Sequence, residues 1–248
     1  MHEITAGKRT LGHLPRVVGV ITTSAGLAQA ASSPEDPGCD LIEVRLGEVD
    51  VSGNRWLNEC IALEARGTPV LITIREQSEG GTWPDEDPGR MELFERALEE
   101  CSIVDIELHS LCFYRVLECA TAHKKPVIIS THHFEETPTR EALDAFQDRV
   151  ASLDNVILKI AAVTRNEDDV ATLQDFLVTP HPCPVCVLGM GASGVETRIR
   201  FPELGSCLTY GYLDAPSAPG QHACEELVAT LRKRVPEYDA DLRLRGIV

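Results

Sequence analysis

Lys159 is the residue whose surroundings most directly indicate chemistry. It interrupts the run Val156–Val163, which is otherwise apolar and typical of a buried strand. A charged amine among apolar side chains is unfavourable unless its charge is paired or lost, and burial favours the neutral amine. A neutral lysine amine is a nucleophile that can form an imine with a carbonyl carbon. The alternative is a lysine near a strand end whose amine reaches solvent.

A histidine would supply the proton transfers that such an imine needs. An imine withdraws electrons and acidifies the neighbouring carbon, so a base can remove a proton there and expel a β-leaving group. Histidine suits this task because its ordinary pKa lies near neutrality. In an extended segment His132 and His133 would point to opposite sides, and we expect only one to face a site. The alternative is an exposed histidine pair on a loop.

Arginine is the residue type that grips a carboxylate through two parallel hydrogen bonds, a geometry that lysine cannot match. Arg198 is the candidate for this role, although it could instead be a surface helix arginine, as Arg200 is expected to be. Glu43 and Arg45 would share one strand face, either as substrate ligands or as a structural ion pair.

Eight short apolar, β-branched runs recur at intervals of roughly 20 to 30 residues, the length of one strand–helix unit. This order predicts an α/β protein with a (β/α)8 TIM barrel, in a single domain over residues 1–248. A doubly wound open sheet is the alternative. The runs are residues 17–21, 41–45, 70–74, 103–108, 127–130, 156–163, 185–188 and 208–211, and the clearest helical patterns are 91–100, 111–123, 140–153, 167–177 and 222–234.

In a TIM barrel the chemistry takes place at the carboxyl ends of the strands. The Pro/Gly-rich segment 79–90 is expected to be an active-site loop after the third strand. The G-x-G-x-x-G pattern at 189–194 comes too late in the chain for a dinucleotide-binding fold. We interpret it as a loop whose backbone approaches the substrate closely. The polar residues predicted at this end are Glu43, Arg45, Arg75, Glu79, His132, His133, Lys159, Arg198, Ser217 and Gln221.

The charge and the apolar content of the sequence limit the kinds of partner that the protein can bind. The formal net charge of −16 argues against nucleic acid or an anionic membrane surface, but not against a small anionic substrate near a local arginine cluster. No apolar run is long enough to cross a bilayer. The chain has nine cysteines, an odd number, which indicates free thiols in a reducing cytosol. Cys183 and Cys186 form a C-x-x-C pattern, but the second such pair that a zinc site needs is absent from the sequence.

The amino-terminal region resembles a secretory signal only in part. Lys8 and Arg9 precede an apolar stretch, but Pro15 and Arg16 interrupt the approach to it. We therefore expect a first strand followed by a helix, in a cytoplasmic protein.

These residues together resemble the type I 3-dehydroquinate dehydratases, the Schiff-base class of the shikimate pathway, over nearly the whole chain. The most specific part of the resemblance is the occurrence, in this order along the chain, of a Ser-x-His-x-Phe segment, a Lys-Ile-Ala segment and Ser217-Ala218-Pro219-Gly220-Gln221. The resemblance rests on Glu43-Val44-Arg45, Thr73-Ile74-Arg75, Glu79-Gly80-Gly81, Asp105-Ile106-Glu107-Leu108, Ser130-Thr131-His132-His133-Phe134, Thr137-Pro138, Lys159-Ile160-Ala161, Met190, Arg198, Gly205-Ser206, Thr209 and Ser217-Ala218-Pro219-Gly220-Gln221.

The resemblance implies a hydro-lyase that converts 3-dehydroquinate into 3-dehydroshikimate by syn-dehydration, the third step of the shikimate pathway. Lys159 would form the imine with the C3 ketone. His132 would take the C2 proton and later protonate the departing hydroxyl, while Glu79 orients or assists it. It also implies a homodimer that needs no metal or other cofactor. The implied substrate-binding residues are Arg198, Ser217 and Gln221 for the carboxylate and ring oxygens, Glu43, Arg45 and Arg75 for the hydroxyls, and Met190 against the imine.

Two rival functions are a class I aldolase-type barrel, which also uses a lysine on the sixth strand, and a catalytically silent barrel. Residues 217–221 and Glu79-Gly80-Gly81 argue against the first, and intact Lys159, His132 and Glu79 argue against the second.

Three positions depart from the family pattern. Gly47 stands where an acidic residue is common, Val20 where a serine is frequent, and Leu188 where a second methionine is frequent.

Overall fold

The computed structural model describes residues 3–85, 87–216 and 221–247, and the elements named here lie within these ranges. The strands are β1 (Ile4–Ala6), β2 (Arg9–Leu11), β3 (Arg16–Ile21), β4 (Leu41–Arg45), β5 (Val70–Thr73), β6 (Ile103–Glu107), β7 (Val127–His133), β8 (Val156–Val163), β9 (Val185–Met190) and β10 (Leu208–Tyr212). The helices are α1 (Ser24–Ser32), α2 (Arg55–Ala65), α3 (Gly89–Glu100), α4 (Phe113–Ala122), α5 (Arg140–Val150), α6 (Glu167–Leu177), α7 (Thr197–Leu204), α8 (Cys224–Arg234) and α9 (Pro236–Leu244).

Eight parallel strands form a nearly closed barrel with helices between them. Seven parallel ladders join β10, β3, β4, β5, β6, β7, β8 and β9 in that order. Between β9 and β10 the amide of Cys207 donates to the carbonyl of Val185 at 2.8 Å, and the amide of Val187 donates to Ser206 Oγ at 3.0 Å. The predicted (β/α)8 barrel is confirmed, and the open doubly wound sheet is excluded.

Alternating side chains along each barrel strand separate two buried regions. Outward-facing residues such as Ile42, Ile72 and Val104 pack with the surrounding helices, whereas inward-facing residues such as Leu71, Ile103 and Ile128 fill the barrel. Side chains from alternate strands stack inside a TIM barrel in layers of four. The registers place Leu41, Ile103, Ile157 and Leu208 in a lower apolar layer, and Glu43, Asp105, Lys159 and Tyr210 in a higher layer.

A short antiparallel hairpin of β1 and β2 packs at the amino end of the barrel, and the sequence patterns did not predict it. Ile4, Ala6 and Leu11 belong to the same buried cluster as Leu41 and Leu71 of the lower barrel interior. Strands of three residues are too short to show a periodic pattern. With this end covered, the polar layers are reached from the carboxyl end.

The expected helix after the first strand is α1, and all nine cysteines are free thiols, as predicted. Strand β7 is longer than the apolar run at 127–130, because its ladder with β8 continues to the pair His133 and Ala162. The two histidines therefore lie within the strand and not after it. In the described part of the chain, no helix has both the length and the apolar composition needed to cross a bilayer.

Candidate active site

A cavity of about 370 Å³ opens at the carboxyl ends of the barrel strands. This volume suits a small-molecule substrate. Of the ten catalytic and substrate-binding residues that the family resemblance implies, nine line it, and the tenth, Ser217, lies outside the described residues. The lining residues are Val20, Glu43, Arg45, Glu48, Arg75, Glu79, Gly80, Thr82, His132, Phe134, Lys159, Ala161, Leu188, Met190, Arg198, Tyr210 and Gln221.

Lys159 lies at the floor of this cavity with only 3% of its surface exposed. Its Nζ is 3.0 Å from Oδ2 of Asp105 on β6 and 4.3 Å from the ring centroid of Tyr210 on β10. Both neighbours belong to the same barrel layer as the lysine. Of the options that the sequence left open for a buried lysine, the structure shows pairing of the charge, and the amine does not reach out to solvent.

Asp105 joins the lysine to a buried network of charges. Its Oδ1 accepts from Arg75 Nη2 at 2.8 Å and from Ser130 Oγ at 2.6 Å. Burial opposes ionisation, but the charges of Arg75 and Lys159 outweigh it and hold the pKa of Asp105 well below its usual range. Asp105 is therefore a carboxylate at neutral pH.

Arg75 is engaged on two sides by this network. Its Nη1 donates to Glu107 at 2.9 Å, and Glu107 in turn pairs with Arg90 at the start of α3. Arg90 also bonds Glu76, so two arginines alternate with carboxylates behind the cavity wall. Arg75 still faces the cavity, and its Nε has no hydrogen-bond partner among the residues the structure describes.

His132 faces the cavity and contacts Glu79, which the 3-10 turn Gln77–Glu79 presents after β5. Nδ1 of His132 lies 2.9 Å from Oε2 of Glu79. Burial raises the pKa of Glu79 to about 8, with Arg75 opposing the shift only in part. Burial and the charges of Arg75 and Lys159 hold the pKa of His132 well below its usual value. Near neutral pH the contact thus joins a neutral imidazole to a carboxyl group that retains its proton.

His133 points to the outside of the barrel, as strand alternation predicted for one histidine of the pair. Its ring stacks on Phe146 of α5, with 5.3 Å between the centroids. Only His132 of the two lines the cavity.

Arg198, in the first turn of α7, is a guanidinium at the cavity wall. Its Nη1 donates to the carbonyl of Tyr210 at 3.1 Å, and no carboxylate of the described ranges pairs with it. Burial lowers the pKa of Arg198, though arginine stays charged in proteins. A partly buried, charged group facing a cavity is suited to bind an anion. Arg200, two residues on, is exposed.

Glu43 and Arg45 line the cavity from β4. Thr73 Oγ1 donates to Glu43 at 2.7 Å, and Arg45 lies 3.8 Å from Glu43 and 3.4 Å from Glu48. Gly47 has a φ of +101°, and a Cβ there would lie 2.9 Å from Thr82 Oγ1. The tight turn needs glycine at this position, and the acidic group beside Arg45 comes from the next residue, Glu48.

Met190 and Gln221 also line the cavity, as do two of the residues that depart from the family pattern, Val20 and Leu188.

The glycine-rich segment 189–194 differs from its expected role. A Cβ on Gly194 would lie 2.4 Å from the carbonyl carbon of Gly189, so the glycines let the end of β9 pack against the following turn. Gly189 and Gly194 do not line the cavity, and the expected close approach to substrate is wrong for them.

The sequence interpretation gave no role to Asp105, Ser130 or Tyr210. Asp105 and Ser130 carried the same signal as Lys159, because each is a polar residue in an apolar strand. Tyr210 carried no such signal, since tyrosine is common in strands.

Within residues 3–85, 87–216 and 221–247, no group of three His, Cys, Asp or Glu side chains is placed to hold a metal ion.

Comparison with known proteins agrees with this geometry. The model of the Type I 3-dehydroquinase family matches residues 17–235. The 3-dehydroquinate dehydratase of Methanocella arvoryzae (strain DSM 22066 / NBRC 105507 / MRE50) is 32% identical over 218 residues, covering 88% of this chain and 96% of that protein.

Solved structures give the same result. The type I 3-dehydroquinate dehydratase of Clostridium difficile with covalent modified comenic acid is 25% identical, with a TM-score of 0.82 and coverage of 96% of this chain and 98% of that one. The 3-dehydroquinate dehydratase of Geobacillus kaustophilus HTA426 shares the fold, with a TM-score of 0.82 at 23% identity, covering 94% of this chain and 96% of that chain. The chain therefore belongs to the type I 3-dehydroquinase family.

Proposed function

We propose that this protein is a 3-dehydroquinate dehydratase, a hydro-lyase that removes water from 3-dehydroquinate through an imine on Lys159. The observation that carries the proposal is the placement of the Lys159 amine and the His132 imidazole in one cavity of a type I 3-dehydroquinase. The reaction belongs to the shikimate pathway and gives 3-dehydroshikimate.

Imine formation begins at the floor of the cavity. The amine of Lys159 must lose its proton before it adds to the C3 carbonyl carbon, and the neutral imidazole of His132 is a base in the same cavity. His132 returns this proton to the oxygen of the carbinolamine, which leaves as water, and the carbinolamine becomes an iminium. Asp105, 3.0 Å from Nζ, stays ionised beside this cation and stabilises it.

Elimination then uses the same histidine twice. With Nδ1–H of His132 donating to Oε2 of Glu79, the other ring nitrogen carries the lone pair and exchanges protons with the substrate. It takes the C2 proton, and the electrons of the C–H bond pass into the iminium to form an enamine. The enamine expels the β-hydroxyl, which leaves as water after His132 returns the proton. Hydrolysis of the imine releases the product and regenerates Lys159.

Substrate binding is assigned by charge. Arg198 has no acidic partner in the described ranges and would hold the carboxylate together with Ser217 and Gln221. Glu43 and Arg45 on β4 would meet the ring hydroxyls, together with Arg75, whose Nε has no hydrogen-bond partner among the described residues. Met190 would pack against the imine.

The test uses the purified chain with 3-dehydroquinate. We expect a rise in absorbance from the conjugated enone of the product, without added metal or nucleotide. Sodium borohydride added with the substrate should inactivate the enzyme and leave a covalent adduct on Lys159 by mass spectrometry. Activity lost to a chelator and restored by zinc would contradict the cofactor-free mechanism.

Two further properties are proposals about the whole molecule. A cytoplasmic location is supported by nine free thiols, which suit a reducing compartment. A homodimer is supported by large apolar side chains on the surface, including Leu111 (74% exposed) and Tyr114 (76% exposed). Sedimentation velocity of the full chain would show a single species of about twice the chain mass of 27.1 kDa if the dimer forms.

A further inference from the structure

Tyr210 is the aromatic residue of the barrel layer that contains Lys159. The strand registers put it in one layer with Glu43, Asp105 and Lys159, each from alternate strands. Round the barrel, β8 lies midway between β6 and β10. Lys159 is therefore flanked within its layer by a carboxylate on one side and by an aromatic ring on the other.

The ring of Tyr210 is placed to act on the amine. Lys159 Nζ lies over the ring, 4.3 Å from its centroid, and Tyr210 is only 5% exposed. An ammonium over an aromatic face is attracted by the ring quadrupole, and the attraction is larger where water is excluded. The ring thus complements the Asp105 contact at 3.0 Å and restricts where the amine can point.

The hydroxyl group of Tyr210, unlike its ring, makes no contact with the described residues that would explain a role in the reaction. It is buried and has no hydrogen-bond partner among the residues the structure describes. Burial, together with nearby acidic groups, raises the pKa of Tyr210 well above its usual value, so the phenol is not a proton acceptor in the reaction. A buried hydroxyl without a partner costs stability. The contact with Lys159 is made by the ring.

We propose that Tyr210 is a positioning residue for Lys159, and that it acts through its aromatic ring and not through its hydroxyl. This inference rests on the proposed function, because it concerns the nucleophile of that reaction. The ring holds the amine against Asp105 at the cavity floor, in the direction from which it meets a bound ketone.

Other groups also face the amine. Asp105 lies on β6, His132 on β7 with Glu79 behind it, Arg75 two residues after β5, Glu43 on β4, Cys186 on β9 and Arg198 on α7. The test therefore changes only the ring and leaves all of these in place.

The experiment compares Tyr210→Phe with Tyr210→Leu in the full chain. Phenylalanine keeps the ring, so kcat and KM should stay within about twofold, and Tm should rise by a few degrees because an unsatisfied hydroxyl is removed. Leucine removes the ring, so kcat should fall by about 2- to 30-fold, the scale of a cation–π contact, with KM changed much less. With leucine, borohydride trapping at saturating substrate should also slow, because the amine is no longer held in the direction of the ketone.

Leu208→Val is the packing control, since Leu208 lies two residues before Tyr210 on β10, in the lower apolar layer. It should lower Tm without slowing borohydride trapping. If Tyr210→Leu does not fold, pentafluorophenylalanine at position 210 keeps the ring shape and inverts its quadrupole, and it should reproduce the effects expected for leucine.

The possible results separate the hypotheses. Equal losses with phenylalanine and leucine would assign the role to the hydroxyl and overturn the proposal. A fluorinated ring that behaves like phenylalanine, or a leucine variant that matches the wild type, would also overturn it. Failure of the wild-type chain to be trapped with 3-dehydroquinate would instead refute the proposed function itself.

Discussion

The amine of Lys159 lies 3.0 Å from Oδ2 of Asp105, and both side chains belong to one buried layer of the barrel. Asp105 also accepts hydrogen bonds from Arg75 and Ser130. A buried charge is tolerated when it is paired and its remaining lone pairs are satisfied. This pair explains how an apolar strand can carry a lysine at the centre of a barrel.

Lys159→Ala should abolish imine trapping and turnover while the protein still folds. Asp105 keeps its bonds to Arg75 and Ser130 after this change, so the carboxylate is not left alone. Lys159→Arg should be inactive as well, because a guanidinium stays protonated and is not a nucleophile. Circular dichroism and mass spectrometry after borohydride treatment would check both, and full activity in either variant would rule out the mechanism.

Asp105→Asn should destabilise the protein by about 3 kcal/mol or more, because Lys159 and Arg75 lose a buried counter-charge. The folded-state pKa of Asp105 is depressed, so its ionised form contributes stability above the unfolded pKa of about 3.9. That contribution is lost as the pH falls below this value. Urea unfolding should therefore show a large difference between wild type and variant at pH 6 that shrinks near pH 3. A constant difference would mean that the charge of Asp105 is not the cause.

Glu79→Gln tests the raised pKa of this carboxyl group. Folding favours its protonated form, so the stabilisation is complete below the ordinary value of 4.5 and is lost as the pH rises toward about 8. A neutral amide does not titrate. Between pH 5 and pH 8.5 the wild type should lose more free energy of unfolding than the variant, by on the order of 3 kcal/mol. Glu99→Gln, at an exposed position of α3, is the control and should show no such difference.

His132→Ala should still form an imine, because the lysine proton can pass to water, but should process it poorly, since the base that takes the C2 proton is gone. A covalent adduct should then accumulate without borohydride and be visible by mass spectrometry. His133→Ala should be nearly normal, because His133 packs on Phe146 outside the barrel. Accumulation in His133→Ala alone would reverse the assignment of the two histidines.

Arg198→Lys should weaken the binding of substrate by roughly 1–3 kcal/mol, the scale of a charge-assisted contact. KM should rise, and kcat should also fall, because a loosely held ring misplaces C2 relative to His132. Arg200→Lys is the matched control, since Arg200 is exposed two residues further along α7. Equal small effects at both positions would falsify the carboxylate clamp and move the anion site toward Arg75 or Arg45.

Features carried by local patterns could be predicted from the sequence. The eight apolar runs predicted the eight barrel strands, because a strand buried on both faces needs continuous apolar side chains. Alternation along β7 predicted that His132 and His133 face opposite sides, since the side-chain period of a strand is two. Lys159 stood out because an ionisable group within such a strand needs a partner or a function.

Only the tertiary structure decided which charges meet. The period of two places Asp105, Lys159 and Tyr210 inside the barrel, but their common layer depends on the shift between neighbouring strands, which pairing across the whole barrel sets. The same long-range geometry gives Arg75 two carboxylate partners and brings Glu79 within 2.9 Å of His132. These contacts join residues 30 to 54 positions apart, which no local pattern encodes.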